Sequence, residues 1–138
     1  EIRRKRNVKK DKILNTELVR LISSLGHTQT LVIGDAGLPV PKGVPCIDLS
    51  VVRGIPSFRD LLAAVAGELV VESAIYAKEA DQKNPEAVSL MRENLPGVPL
   101  SAVPHEEFKR MTKDSMGIIR TGECSAYANI ILVGGVDF

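Results

Sequence analysis

Apolar residues recur along this chain at two spacings, one helical and one extended. Leu18, Leu21, Ile22 and Leu25 lie three and four apart, which stacks them on one helical face, with Asn15 or Thr16 placed to cap the start and Gly26 to stop it. Phe58, Leu61, Leu62 and Val65 repeat the spacing behind Pro56-Ser57, with Asp60 three positions after the serine. Val88, Met91 and Leu95 do so again, between an Asn84-Pro85 start and a Pro96-Gly97 stop. A shorter helix is expected over 106–113, opened near Pro104-His105. Between these segments lie short apolar or β-branched runs that read as strands: Thr30 to Ile33, Cys46 to Leu49, Val98 to Val103, Met116 to Arg120 and Ile130 to Val133. Leu69 to Tyr76 is strand material too, interrupted at Glu72 and Ser73.

Strands alternating with helices predict a single three-layer α/β/α domain around a largely parallel mixed sheet. Ligands of such sheets bind beyond the carboxyl ends of the strands. Two irregular segments leave strand ends here. One is the Gly/Pro-rich loop from Gly34 to Pro45, and the other is the polar stretch from Thr121 to Asn129. Polar groups on the two are expected to converge on one pocket.

Composition narrows the classes. The 138 residues are 44% hydrophobic with no Trp, so one aliphatic core between sheet and helices is expected. No run approaches the roughly 18 apolar residues of a membrane span, and a cytoplasmic protein is expected. Cys46 and Cys124 stand far apart outside any Cys-x-x-Cys pattern and read as reduced thiols, with neither a metal site nor a disulfide implied. Seven Lys or Arg fall within the first twelve residues, against Glu1 and Asp11. The rest carries 11 bases against 15 acids, which argues against a folded nucleic-acid-binding surface. There is no Gly-x-Gly-x-x-Gly, no phosphate loop and no Gly-x-Ser-x-Gly elbow. Proton transfer without a cofactor, or simple binding, remains.

The chain's two histidines, His27 and His105, both stand at element boundaries, where a side chain can project into a cleft. A surface or capping role is the commoner one for either. Asp35 follows the first strand, either as a ligand at the strand-end crevice or as the Asx residue ordering its loop. Tyr127 and Asn129 flank Ala128 before the last strand and offer the donors and acceptors that a polyhydroxylated ligand needs, although an ordinary strand entry would look the same. Glu123 on the same loop reads as a surface residue.

Four segments are more specific: Leu25-Gly26-His27-Thr28, Gly34 to Pro41, His105-Glu106-Glu107-Phe108-Lys109, and Ile119 to Asn129. In sequence, order and separation they resemble the D-ribose pyranase family, within the ribose and fucose mutarotases, from about Val8 to Phe138. The resemblance implies a cytoplasmic, cofactor-independent isomerase of free D-ribose, with His27 as proton donor. It also implies that Asp35, His105, Tyr127, Asn129 and the backbone of Ala128 hold the sugar, with no metal. It further implies rings of five subunits stacked into decamers, with sites near subunit boundaries. Ala126 stands where the family often has Pro, which puts the stiffness of that loop in question. Residues 1–7 precede the usual family start and are expected to be a disordered basic extension, leaving 8–138 as the domain. Fucose mutarotation is the nearest rival, and a non-catalytic sugar-binding accessory of transport is the rival from another class.

Overall fold

The computed structural model of the protein describes residues 13–138, so the basic segment 1–7 and the five residues after it lie outside the described residues. Helix α1 spans Thr16–Ser24, and the Asn15 side chain accepts the Leu18 N–H at 3.0 Å. Strand β1 is Thr30–Gly34 and β2 is Cys46–Asp48. Helix α2 is Phe58–Ala66, capped by Ser57, with Phe58, Leu61, Leu62 and Val65 all buried as their spacing predicts. Strand β3 is Val71–Ala77, and the single-turn helix α3 is Ala80–Lys83. Helix α4 is Pro85–Asn94 and strand β4 is Leu100–Val103. Helix α5, His105–Met111, runs on into a 3₁₀ turn at Thr112–Asp114. Strands β5, Ile118–Arg120, and β6, Ile130–Gly134, complete the set.

The six strands form one sheet in the order β2-β5-β1-β6-β3-β4. Neighbours β2, β5 and β1 are parallel, as are β3 and β4, while β6 runs antiparallel to both β1 and β3 and joins the two parallel halves. The pleat divides the apolar side chains between two cores. Leu31, Ile33, Ile119, Ile130 and Leu132 face α1, α2 and α4, whereas Val32, Ile118 and Ile131 face Phe108 of α5 and Leu38 of the Gly/Pro loop. The three-layer expectation holds, with a loop filling part of the third layer.

All five parallel strands end at the same edge of the sheet, and the chain enters β6 from that edge. Asp35, His105 and the segment leading into Ile130 are brought together there. In β3 the register advances from Val71 opposite Gly134 to Ser73 opposite Val133, leaving Glu72 as an extra, bulged residue. The polar interruption seen in the sequence is therefore a bulge inside one strand. Among the described residues no helix is long and apolar enough to cross a membrane.

Candidate functional site

Asp35 and Asn129 are 94 residues apart in sequence and lock together at the carboxyl edge of the sheet. The Asp35 backbone N–H donates to Asn129 Oδ1 at 2.7 Å, and Asn129 Nδ2 donates to Asp35 Oδ2 at 3.0 Å. The other carboxylate oxygen accepts the Gly37 N–H at 2.8 Å, so Asp35 also makes the loop-ordering bond that was its alternative role. Asn129 is 1% exposed, and its contacts hold one face of the Asp35 carboxylate still. The lack of a side chain at Gly34 eases this approach and the packing of Leu38. A Cβ there would lie 2.6 Å from Leu38 Cδ2 and 3.3 Å from Asn129 Oδ1.

Tyr127 enters the site in the left-handed region, at φ +57. A bulky residue held there is strained by roughly 1–3 kcal/mol, a cost borne mostly where surrounding contacts dictate the backbone. Its ring meets the His105 imidazole edge-on, with centroids 5.1 Å apart. Phe108 stacks with His105 as well, with centroids 6.2 Å apart. The His105 backbone N–H donates to the Glu79 carboxylate at 3.0 Å, fixing the start of α5. His105 Nδ1 is buried and has no hydrogen-bond partner among the described residues, which leaves a polar capacity open beside the tyrosine. Ala128 is fully buried and belongs to the hydrophobic core.

Glu123 departs from its expected surface role. Its Oε1 accepts the Phe58 N–H at 2.9 Å, at the start of α2, and its Oε2 accepts the Ser125 hydroxyl at 2.8 Å. Partial burial is the largest influence on its pKa and pushes it up, but the donors from Phe58 and Ser125 outweigh this and hold the carboxyl below its usual range. The Glu123 carbonyl accepts the Ala36 N–H at 2.8 Å, so the Asp35 loop and the 121–129 loop are tied to each other and to α2. Asn84, the cap of α4, donates to Ser125 Oγ and to the Ala126 carbonyl at 2.9 and 2.8 Å. The residue without the family's Pro is therefore restrained by a side chain instead. A cavity of about 310 Å³ opens beside Asp35, Glu123 and Ser125.

His27 is elsewhere. It follows α1 and precedes β1, at the amino ends of β1 and β3, and β1 rises about 17 Å before Asp35 is reached. Its Nε2 lies 2.7 Å from Glu72 Oε1, with the two side chains 51% and 49% exposed. Within one chain Asp35 is paired with Asn129 and His105 with Tyr127 at the carboxyl edge of the sheet, and His27 lies at the opposite edge. The turn that carries His27 is tightly built. Thr28 adopts φ +72, donates its N–H to the Gly134 carbonyl at 2.9 Å, and leaves the His27 ring facing outward beside Glu72.

Both cysteines are free thiols, and burial, with Asp48 adding to it against the pull of Arg120, pushes the Cys46 thiol up. Among the described residues no cluster of His, Cys, Asp and Glu could hold a metal ion.

Residues 8–137 match the RbsD / FucU transport protein family. The chain is 50% identical to a D-ribose pyranase of Geobacillus kaustophilus over 131 residues, covering 95% of this chain and 96% of that protein. It is 48% identical to one of Actinobacillus succinogenes over 139 residues, covering 95% of this chain and all of the relative. Among solved structures, Bacillus subtilis RbsD complexed with D-ribose superposes with a TM-score of 0.92 at 46% identity, covering 95% of this chain and 100% of that one. The fucose mutarotase of Streptococcus pneumoniae in complex with L-fucose gives 0.77 at 23% identity, over 91% of this chain and 95% of that one, a likeness of fold.

Proposed function

We propose, from the premise that the chain belongs to the RbsD / FucU family, that it is an isomerase interconverting the pyranose and furanose forms of free D-ribose, with 8–138 as its single domain. The observation that carries this reading is the near-full-length identity of 50% and 48% to D-ribose pyranases. The site geometry supports it: a fixed carboxylate, a buried amide, a tyrosine and an imidazole with an open nitrogen meet at a strand-end edge, and these groups suit a ligand made of hydroxyls.

Ring exchange passes through the open aldehyde. A base takes the proton of the anomeric hydroxyl while the bond between C1 and the ring oxygen breaks, its electron pair going to that oxygen, which takes a proton from an acid. Closure by a different hydroxyl reverses the roles, so no electrons leave the sugar. Protonated His27 is the proposed acid. Asp35, directly or through water, polarises or deprotonates the anomeric hydroxyl, while His105, Tyr127, Asn129 and the Ala128 backbone restrain the sugar. Positioned proton transfer of this kind contributes about 10²- to 10⁴-fold.

The 17 Å or so along β1 sets a condition on this mechanism. His27 serves a site at the opposite edge only if a second copy of the chain supplies it, which accords with the ring of five subunits, two rings to a decamer, that the family resemblance implies. A cytoplasmic location, where free ribose would be met, belongs to the same proposal.

Saturation-transfer NMR on equilibrated ribose tests it. Substoichiometric protein is expected to raise exchange between ring forms, and His27→Ala to lose that effect while still binding the sugar. Signals that shift or broaden without faster exchange would instead identify a sugar-binding accessory of transport. Acceleration with fucose but not ribose would identify the mutarotase rival.

A further inference from the structure

Glu72 takes no part in the proposed proton transfers, yet the backbone around it is arranged to aim it. It is the extra residue of the β3 bulge, and a bulge turns one side chain out of the regular alternation. Gly135 packs against it so closely that a Cβ on that glycine would lie 3.2 Å from Glu72 Cβ. The turn bearing His27 is held from the same strand end: Thr28 N–H bonds to Gly134 O, and a Cβ on Gly134 would lie 2.9 Å from Gly26 O. Two consecutive glycines at the end of β6, Gly134 closing the strand and Gly135 following it, thus bring the bulge and the turn together, and the side chains meet at 2.7 Å. An exposed ion pair contributes only about 0–1 kcal/mol to stability. A bulge, a positive φ at a β-branched residue and two close glycine contacts are a large amount of backbone specification for so small a gain.

We infer that Glu72 is a positioning residue for the proposed ring-exchange reaction, selecting the His27 tautomer whose Nε2 carries a proton and whose Nδ1 exchanges protons with the sugar. The inference rests on the activity proposed above. A carboxylate only accepts hydrogen bonds, so Glu72 Oε1 at 2.7 Å requires a hydrogen on Nε2. In the doubly protonated ring, the Nε2 hydrogen stays directed at Glu72 and the Nδ1 hydrogen is the one given to the ring oxygen. The neutral ring left behind has its lone pair on Nδ1, ready to take a proton back during closure. Without the carboxylate the imidazole samples both tautomers and rotates, and the working nitrogen is in place for only part of the time.

Nitrogen-15 NMR of the imidazoles at mildly alkaline pH reads the tautomer directly, and a His105 variant assigns the two rings. The expected spectrum has His27 protonated at Nε2, and a ring protonated at Nδ1 would overturn the inference without reference to activity. Glu72→Gln, whose amide pairs with either tautomer, is expected to lower kcat for ribose ring exchange by about 10- to 100-fold, the scale of effect of a misplaced catalytic group, with KM little changed. Glu72→Asp, which keeps an acceptor-only group, is expected to recover part of that loss. Unchanged kcat in Glu72→Gln overturns the role. Should that variant fail to fold, the tautomer in the unaltered chain decides. Absence of ring exchange in the unaltered protein would overturn the activity and this role together, whereas an active protein indifferent to Glu72→Gln overturns the role alone.

Discussion

Asn129 shows how much one buried amide does here. It satisfies the Asp35 N–H and orients the carboxylate of the same residue, so Asn129→Ala leaves a partly buried donor unpaired and frees the acid to turn. The expected cost is about 1–3 kcal/mol in chemical denaturation, together with a rise in KM for ribose that exceeds the fall in kcat. Thr28 gives the opposite test. A β-branched residue at φ +72 is strained, so Thr28→Gly is expected to leave stability unreduced while lowering kcat, because the turn that aims His27 loosens. A variant losing both stability and activity would show that the turn serves folding alone. The sequence carried the identities of these residues but not their pairing. Asp35 and Asn129 were both visible as polar groups leaving strand ends, whereas their 94-residue separation is closed only by sheet order. Glu72 was visible as an interruption, and its partnership with His27, 45 residues away, was not.

At the level of elements, helix starts were the most legible feature, because capping is local chemistry: Asn15, Ser57 and Asn84 each accept a backbone N–H as their types predict. The single turn α3 leaves no mark in the sequence because four residues with one buried alanine carry no periodicity. The direction of β6 was equally hidden, since a fully buried apolar run reads the same whether its neighbours are parallel or antiparallel. Glu123 belongs to this scale as well, because it ties the 121–129 loop to the first turn of α2. Glu123→Ala removes the acceptor for Phe58 N–H and is expected to cost about 0.5–2 kcal/mol at neutral pH, as the loss of a cap does. Its folded-state pKa is depressed, so its contribution is full above the unfolded value and fades as pH falls through the folded one. The stability gap between parent and variant should therefore narrow below about pH 4.3. A gap that stays constant down to strongly acidic pH would show that the carboxylate charge contributes nothing to the lock.

The whole molecule poses the sharpest question, because one chain holds both halves of the proposed chemistry at opposite edges of one sheet. A ring of identical subunits solves such a problem through a heterologous contact, in which one edge of a subunit meets the other edge of the next. That arrangement makes a prediction no intrachain site can make. His27→Ala and Asp35→Asn are each expected to be nearly inactive when produced alone. Co-expressed in one cell and assembled at random, they should regain activity, since about one site in four receives an intact His27 from one subunit and an intact Asp35 from its neighbour. A mixture of the two variants assembled separately should stay inactive until subunits exchange. If co-assembly restores nothing while mixed oligomers demonstrably form, His27 and Asp35 do not act on one sugar, and the proton donor must be sought among the groups at the carboxyl edge of the same sheet. His105 is then the first candidate, because it is the imidazole the fold itself brings to that edge, with one ring nitrogen still unpartnered.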